Sequence, residues 1–249
     1  MIASLPMYDR PETRAAHDRL WNRIRDEFRT KGIDAPPELA RGNDPWDDWH
    51  SPDLLMSQTC GFPYRAHLHG KVRLVGAPDH GLPDCAAGMY YSVFIARRDD
   101  ARATVREFEN AILAFNDPVS QSGWAAPWSH AQNQGLAFQW LLQTGAHIKS
   151  AQAVAQAKAD IAAIDSISWQ LIQRHDQFAE ELRIIEKTDP TPALPYICAM
   201  GQHPADIATC LKNAISGLDA SDKTALCLFD LVEAKAQDYL AVPTPPATQ

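Results

Sequence analysis

Short apolar runs that end in small or polar residues recur along the chain. One example is the run 111–115, which stops at Asn116 and leads into a polar turn. Apolar and β-branched runs bounded by Gly, Pro, Asn, Asp or Ser are typical of buried β-strands. The sequence predicts strands at 2–5, 52–56, 72–78, 90–96, 111–115, 137–143, 160–165 and 182–186.

Amphipathic segments lie between or after these strands. The first would place its apolar residues on one helix face, namely Leu20, Trp21, Ile24 and Phe28. Two more amphipathic helices are predicted at 204–218 and 221–240. Strands that alternate with helices indicate an α/β fold.

The turn after the run 111–115 carries Ser120, Gln121, Ser122 and Gly123 before a segment of helical composition. The first N–H groups of a helix lack intrahelical acceptors and lie at the positive end of its dipole, so they attract a small anion. Serine hydroxyls add donors, and glycine lets a ligand approach the backbone. A serine N-cap on an ordinary helix has the same pattern, so both interpretations stay open on this stretch alone.

Two connections separate the middle of the chain from its ends. One is the strand that runs out through Arg97, and the other is the proline-rich segment 188–195. A chain that leaves one α/β lobe, builds a second and returns to the first forms two hinged lobes with a cleft between them. The predicted lobes are 1–95 with 190–249, and 96–189.

The chain of 249 residues has a net charge of −8, which argues against binding to nucleic acid or to an anionic membrane. An anion would therefore be held by local donors. The spacing of His67, His69 and His80 fits no closed zinc pattern, and the sequence predicts neither a metal nor a cofactor. The Pro- and Thr-rich tail 243–249 is predicted to be disordered.

The start of the chain bears on its compartment. No apolar run is long enough to cross a bilayer, and the first residues lack the basic and apolar regions of a secretory signal. The chain as given is therefore expected to be cytoplasmic, or to be a mature form whose leader was removed. Whether Cys60 and Cys85 form a disulfide stays open, because that pairing requires an oxidising compartment.

Six short motifs are spaced along the chain. They are Pro-Met-Tyr at 6–8, Ser-Gln-Thr-Cys-Gly at 57–61, Tyr-Ser at 91–92, Ser-Gln-Ser-Gly at 120–123, Gly-Ala-His at 145–147 and 160–165. In order and spacing they resemble the substrate-binding proteins of phosphonate ABC transporters. The resemblance implies a two-lobe type II periplasmic-binding-protein fold whose hinged interlobe cleft encloses phosphonate, phosphite or phosphate. It also implies a periplasmic location.

The resemblance assigns roles to residues of the middle of the chain. Ser120, Gln121 and Ser122 match the segment that grips the oxyanion with hydroxyl and N–H groups. His147 matches a ligand-contacting histidine, and Asp165 matches an acidic residue after a late strand. Asp165 would accept a hydrogen bond from a protonated ligand oxygen, which favours a monoprotonated anion.

The other residues predicted to bind the ligand come from three places in the chain. Tyr8 and Tyr91 match aromatic residues of the family's cleft, and Tyr90 is an equal candidate for the second position. Gln58 and Thr59 follow a predicted strand at the end where open α/β sheets bind ligands.

Simpler interpretations stand beside these assignments. Asp165 would cap the helix that begins near Ser166, with Ser166 or Ser168 as other candidates for the cap, and His147 would bond a loop carbonyl. Ser122, His147 and Asp165 could also form the catalytic triad of a cytosolic enzyme, or Cys60 could be a nucleophile.

The chemistry favours binding over catalysis. The serine lacks a Gly-x-Ser-x-Gly elbow, and a serine at a helix start suits anion binding better than nucleophilic attack. The sequence therefore predicts a binding protein without enzymatic activity. Its predicted partners are a small oxyanion and an ABC-transporter permease, and it is predicted to be a monomer or a weak dimer. A cytosolic enzyme or a cytoplasmic ligand sensor on the same fold is the alternative.

Overall fold

The computed structural model describes residues 1–246, which form two compact units. The first unit consists of Met1–Met89 and Pro192–Ala241, and the second of Tyr90–Thr191 with the segment from Val242. From the sequence, the chain is predicted to pass between the two lobes after residues 95 and 189. Of the predicted disordered tail, residues 243–246 have no helix or strand, and 247–249 lie outside the described residues.

Twelve strands are present in the described part of the chain. In chain order they are β1 (Ile2–Ser4), β2 (Leu54–Gln58), β3 (Val72–Asp79), β4 (Met89–Tyr90), β5 (Ser92–Arg97), β6 (Ile112–Phe115), β7 (Trp140–Gln143), β8 (Ile161–Asp165), β9 (Leu182–Lys187), β10 (Thr191–Pro192), β11 (Tyr196–Ala199) and β12 (Asp230–Val232). Each of the eight predicted strands overlaps at least one of these, and β11 was not predicted as a strand.

The α-helices are α1 (Arg14–Thr30), α2 (Pro45–His50), α3 (Gly61–Pro63), α4 (Ala126–Asn133), α5 (His147–Ala155), α6 (Ser166–His175), α7 (Pro204–Ser216), α8 (Ala220–Leu226) and α9 (Ala236–Leu240). Tighter 3-10 turns occupy Val105–Phe108 and Gln177–Glu181, and wider π-helical turns occupy Tyr64–Leu68 and Gln121–Ala125. Within residues 1–246, none of these helices has both the length and the apolar character that a membrane crossing requires.

The first unit is built on a sheet of order β1-β2-β11-β3-β12. Strands β1 and β2 are parallel, with Ser4 opposite Ser57, so their carboxyl ends lie at the same edge. Neighbouring residues of a strand point to opposite faces. Accordingly Leu55 packs on one face with α1 and α7, and Leu54 packs on the other with Trp49 and Tyr239.

The second unit is built on a sheet of order β7-β6-β8-β5-β9. Strand β6 is parallel to both of its neighbours, β7 and β8, whereas β5 is antiparallel to β8 and β9. Because all partners of β5 belong to this sheet, the whole of β5 lies in the second unit. The predicted strand 90–96 is interrupted at Tyr91, which separates β4 from β5.

The prediction of one helix at 221–240 is wrong, because a strand separates α8 from α9. Helix α8 ends at Leu226, and Cys227 adopts a left-handed conformation with φ 48°. The chain then pairs with β3 as β12, placing Leu231 opposite Pro78 with only 4% exposure. Pairing with a strand distant in sequence therefore overrides the helical spacing of apolar residues here.

Helix α1 makes the stability of the first unit depend on a few large side chains. We expect Phe28→Ala to lower the free energy of unfolding by about 3–5 kcal/mol, because Phe28 is completely buried and its loss leaves a cavity. The matched control is Arg29→Ala in the next position, where the side chain is 73% exposed and makes only a surface ion pair. Urea denaturation should show at most about 1 kcal/mol for the control. Equal losses in both variants would contradict the assigned core.

Candidate functional site

The turn after β6 enters a helix whose first turn is unusually wide. Ser120 is the N-cap: its side-chain oxygen accepts a hydrogen bond from the Gly123 N–H at 3.0 Å. The Ala125 N–H donates to the Ser120 carbonyl at 3.0 Å, five residues back, as in a π-helix. This spacing gives Ser122 and Trp124 no carbonyl acceptor within the helix for their N–H groups.

Gly123 is required by close packing. A Cβ atom on Gly123 would collide with Asn116 Oδ1 and lie 3.3 Å from Cε1 of His147. The Asn116 Oδ1 atom is buried and accepts no hydrogen bond from the described residues. Glycine therefore lets the start of this helix contact both the turn after β6 and the start of α5.

His147 joins this helix start from the neighbouring turn. It is the first residue of α5, and its Nε2 atom lies 2.8 Å from Ser122 Oγ. The turn that carries it is held by the Thr144 N–H on the Phe115 carbonyl and the Gly145 N–H on the Asn116 carbonyl, both at 2.9 Å.

The protonation of His147 follows from its surroundings. Burial lowers the pKa of His147, and the nearby Asp165 carboxylate opposes that effect only in part. At neutral pH the imidazole is therefore neutral, and its Nε2 atom forms one hydrogen bond with the Ser122 hydroxyl. A hydrogen bond of this kind fixes the Ser122 side chain at the helix start.

Asp165 is the N-cap of α6, as the simpler interpretation holds. Its Oδ1 atom accepts from the N–H groups of Ile167 at 2.7 Å and Ser168 at 3.0 Å, and its Oδ2 atom accepts from Ser168 Oγ at 2.8 Å. The cap is Asp165 itself and not Ser166 or Ser168. The same Oδ2 atom lies 3.9 Å from His147 Nε2.

This arrangement differs from a catalytic triad. In a triad the serine and the carboxylate face different ring nitrogens of the histidine. Here Ser122 Oγ and Asp165 Oδ2 both lie on the Nε2 side of His147. The three side chains are close together, but the carboxylate does not orient the imidazole toward the serine.

The segment 90–92 reaches the same region. The Ser166 N–H donates to the Tyr91 carbonyl at 3.0 Å, and Ser92 Oγ donates to the Ser122 carbonyl at 2.9 Å. The Tyr91 ring packs against the Lys187 ammonium group, 4.7 Å from its centroid. Tyr90 is almost fully buried in β4.

The second unit thus contains most of the predicted ligand-binding residues. His147 lies close to both Ser122 and Asp165, and Ser120 caps the turn that carries Ser122. Gln121 is buried in the same first turn.

The remaining predicted residues lie in the first unit. Tyr8 follows β1, Gln58 ends β2, and both line one small cavity with His80 and Tyr196. The Gln58 side chain donates to the Leu194 carbonyl at 3.1 Å. The Thr59 hydroxyl is buried and has no hydrogen-bond partner among residues 1–246.

Two contributors to the site were not predicted from the sequence. Asn116 packs against Gly123, and Ser92 Oγ donates to the Ser122 carbonyl. Ser92 does lie in a motif noted in the sequence, and Asn116 directly follows a predicted strand. The contact of Ser92 depends on how the strands are ordered in the sheet, which spacing does not reveal.

Comparison with known proteins decides the family. The sequence pattern of one family, described as the periplasmic substrate-binding protein of phosphonate ABC transporters, matches residues 57–239. The chain belongs to this family. Its members are transport substrate-binding proteins and not enzymes. No curated protein matches the chain in sequence.

Solved structures with the same fold include a methylphosphonate complex and a component of a phosphonate transporter. PhnD1 from Prochlorococcus marinus, solved in complex with methylphosphonate, has a TM-score of 0.73 and 13% identity over 96% of this chain and 93% of its own. The binding-protein component of an ABC phosphonate transporter from Pseudomonas aeruginosa has a TM-score of 0.67 and 17% identity over 96% and 82%. The predicted α/β periplasmic-binding-protein fold is confirmed.

The neutral, buried state of His147 predicts a pH effect. Because the pKa of His147 in the folded protein lies below the ordinary value of 6.5, the unfolded chain binds more protons just below that pH. Stability from this residue is therefore present above pH 6.5 and is lost as the pH falls below it. We expect His147→Gln, which keeps a polar group toward Ser122 but does not titrate, to lose less stability between pH 7 and pH 5.

Urea denaturation of the ligand-free proteins at each pH measures this difference. Burial also lowers the pKa of His17, but His17 is present in both proteins, so its contribution cancels in the comparison. The same loss of stability in wild type and His147→Gln would show that His147 is not held neutral by burial.

Proposed function

We propose that this protein binds a small phosphorus oxyanion, namely phosphonate, phosphite or phosphate, and supplies it to the permease of an ABC transporter. Membership of the phosphonate-binding family supports this role. The observation that carries the proposal is the buried, wide first turn Gln121–Ala125, where backbone N–H groups without helical acceptors lie beside the hydroxyl of Ser122.

The donors suit an anion in an acidic protein. The chain has a net charge of −8, and the groups at this helix start are hydroxyls, backbone N–H groups and an imidazole. Such donors bind an oxyanion through hydrogen bonds and the helix dipole, without a paired basic side chain. The Ser122 hydroxyl is already oriented by His147, so less ordering is needed when the ligand arrives.

The proposed choice of ligand depends on Asp165. Its Oδ2 atom lies near His147 and Ser122, so an anion at this helix start would approach a carboxylate. A monoprotonated phosphorus oxyanion donates a hydrogen bond to that oxygen, whereas sulfate has no proton to donate at neutral pH. We therefore propose that sulfate binds more weakly. Tyr8, Gln58, Thr59, Tyr90 and Tyr91 stay ligand-binding predictions from the sequence.

A thermal-shift screen against phosphate, phosphite, methylphosphonate, aminoethylphosphonate and sulfate tests the proposal. A ligand at a hundred times its dissociation constant adds about 2.7 kcal/mol of stability, which raises the melting temperature clearly. We expect a rise with at least one phosphorus oxyanion and little with sulfate. Ser122→Ala should weaken that binding about ten- to hundredfold, because it removes a hydrogen bond to a charged ligand.

The matched control is Ser221→Ala. Ser221 is also the second residue of a helix, α8, but it lies in the first unit and is exposed. The Ser221→Ala variant should bind the ligand as tightly as wild type does. Equal binding by wild type and Ser122→Ala, or no rise with any phosphorus oxyanion, would contradict the proposal.

A further inference from the structure

The two five-stranded sheets end in four edge strands, and three of them are blocked against pairing with another chain. On β1 the Ala40 N–H donates to the Ala3 carbonyl at 2.7 Å, so a loop occupies that edge. Strand β12 carries Asp230, and β9 carries Arg183, Glu186 and Lys187. Charged side chains and covering loops are the usual protection of exposed strand edges.

The fourth edge, β7, carries no charged side chain, and no loop within residues 1–246 makes a backbone hydrogen bond to it. Its sequence is Trp-Leu-Leu-Gln, and residues 131–146 include no Asp, Glu, Lys, Arg or His. Trp140 is 61% exposed and Leu141 is 38% exposed, and Ile112, opposite Trp140 on β6, is also 38% exposed. An uncharged, apolar edge of this kind is a template for strand pairing.

The open hydrogen-bonding groups of β7 can be assigned from its pairing with β6. Strands β6 and β7 are parallel in the register Phe115↔Gln143, and the Thr144 N–H donates to the Phe115 carbonyl. Because the groups of successive residues in a strand alternate in direction, the N–H and C=O groups of Leu141 and Gln143 point away from β6.

We propose that β7 pairs with β7 of a second copy of this chain, in a weak symmetric dimer. An antiparallel pair of identical strands is closed by a two-fold axis. It would place Leu141 of each copy opposite Gln143 of the other, and each such pair exchanges two hydrogen bonds.

Charge favours a second copy as the occupant. Two molecules of net charge −8 repel each other over most of their surface, whereas β7 carries no charged side chain of its own that would face the same strand of a second copy. The apolar residues Trp140, Leu141 and Ile112 would be covered at the same time. Four residues of strand bury less than the roughly 1,600 Å² of a standard interface, so the dimer is weak and concentration-dependent.

Sedimentation velocity of the ligand-free full chain over a range of concentrations tests this proposal. We expect wild type to form a reversible dimer. Leu141→Lys should raise its dissociation constant at least about tenfold, because the lysines of the two copies would then be neighbours across the paired strands and repel each other. Gln143→Pro should weaken the dimer too, since it removes an outward N–H without removing a hydrogen bond between β6 and β7.

The matched control is Ile184→Lys, which places the same charge at an apolar residue of similar exposure, 41%, on the protected edge β9. It should dimerise as wild type does, and circular dichroism checks that each variant is folded. A wild type that stays monomeric at every concentration, a dimer unchanged in both β7 variants, or an equal loss in Ile184→Lys would overturn the proposal. None of these results depends on whether the protein binds an oxyanion.

Discussion

The parallel pairing of β6 with β7 is the constraint on which the candidate site depends. Parallel strands end at the same edge of a sheet, so the turns that follow them lie side by side. The bond from the Gly145 N–H to the Asn116 carbonyl fixes one turn against the other. The π-helical turn and His147 then meet, and Gly123 allows the close approach. The pairing of β6 with β8 on its other side brings Asp165 to the same edge.

The chemistry of the site comes from neutral donors held in place by buried groups. His147 is kept uncharged by burial and orients Ser122, while Asp165 is held by three hydrogen bonds at the start of α6. A helix N-terminus with fixed hydroxyls stabilises an anion with little reorganisation, which suits reversible binding for transport. The capping role and the proposed ligand role of Asp165 are compatible, because the same carboxylate oxygen lies close to His147.

Local sequence signals predicted much of this arrangement. The run 111–115 and the polar turn 120–123 were sufficient to predict a strand and a helix start, because burial and capping act within a few residues. The width of the first helical turn and the bond from Ser92 to the Ser122 carbonyl depend on packing in the folded chain. The predicted helix 221–240 was wrong for the same reason, since the pairing of β12 with β3 is not local.

A crystal structure of the protein with methylphosphonate would show whether the turn Gln121–Ala125 binds the anion. We expect a phosphonate oxygen about 2.5–3.0 Å from Ser122 Oγ, with a second oxygen accepting from backbone N–H groups of this turn. The Ser122 side chain should keep its contact with His147. A ligand bound elsewhere in the protein, with only water at the helix start near Ser120, would show that this turn is not the binding site.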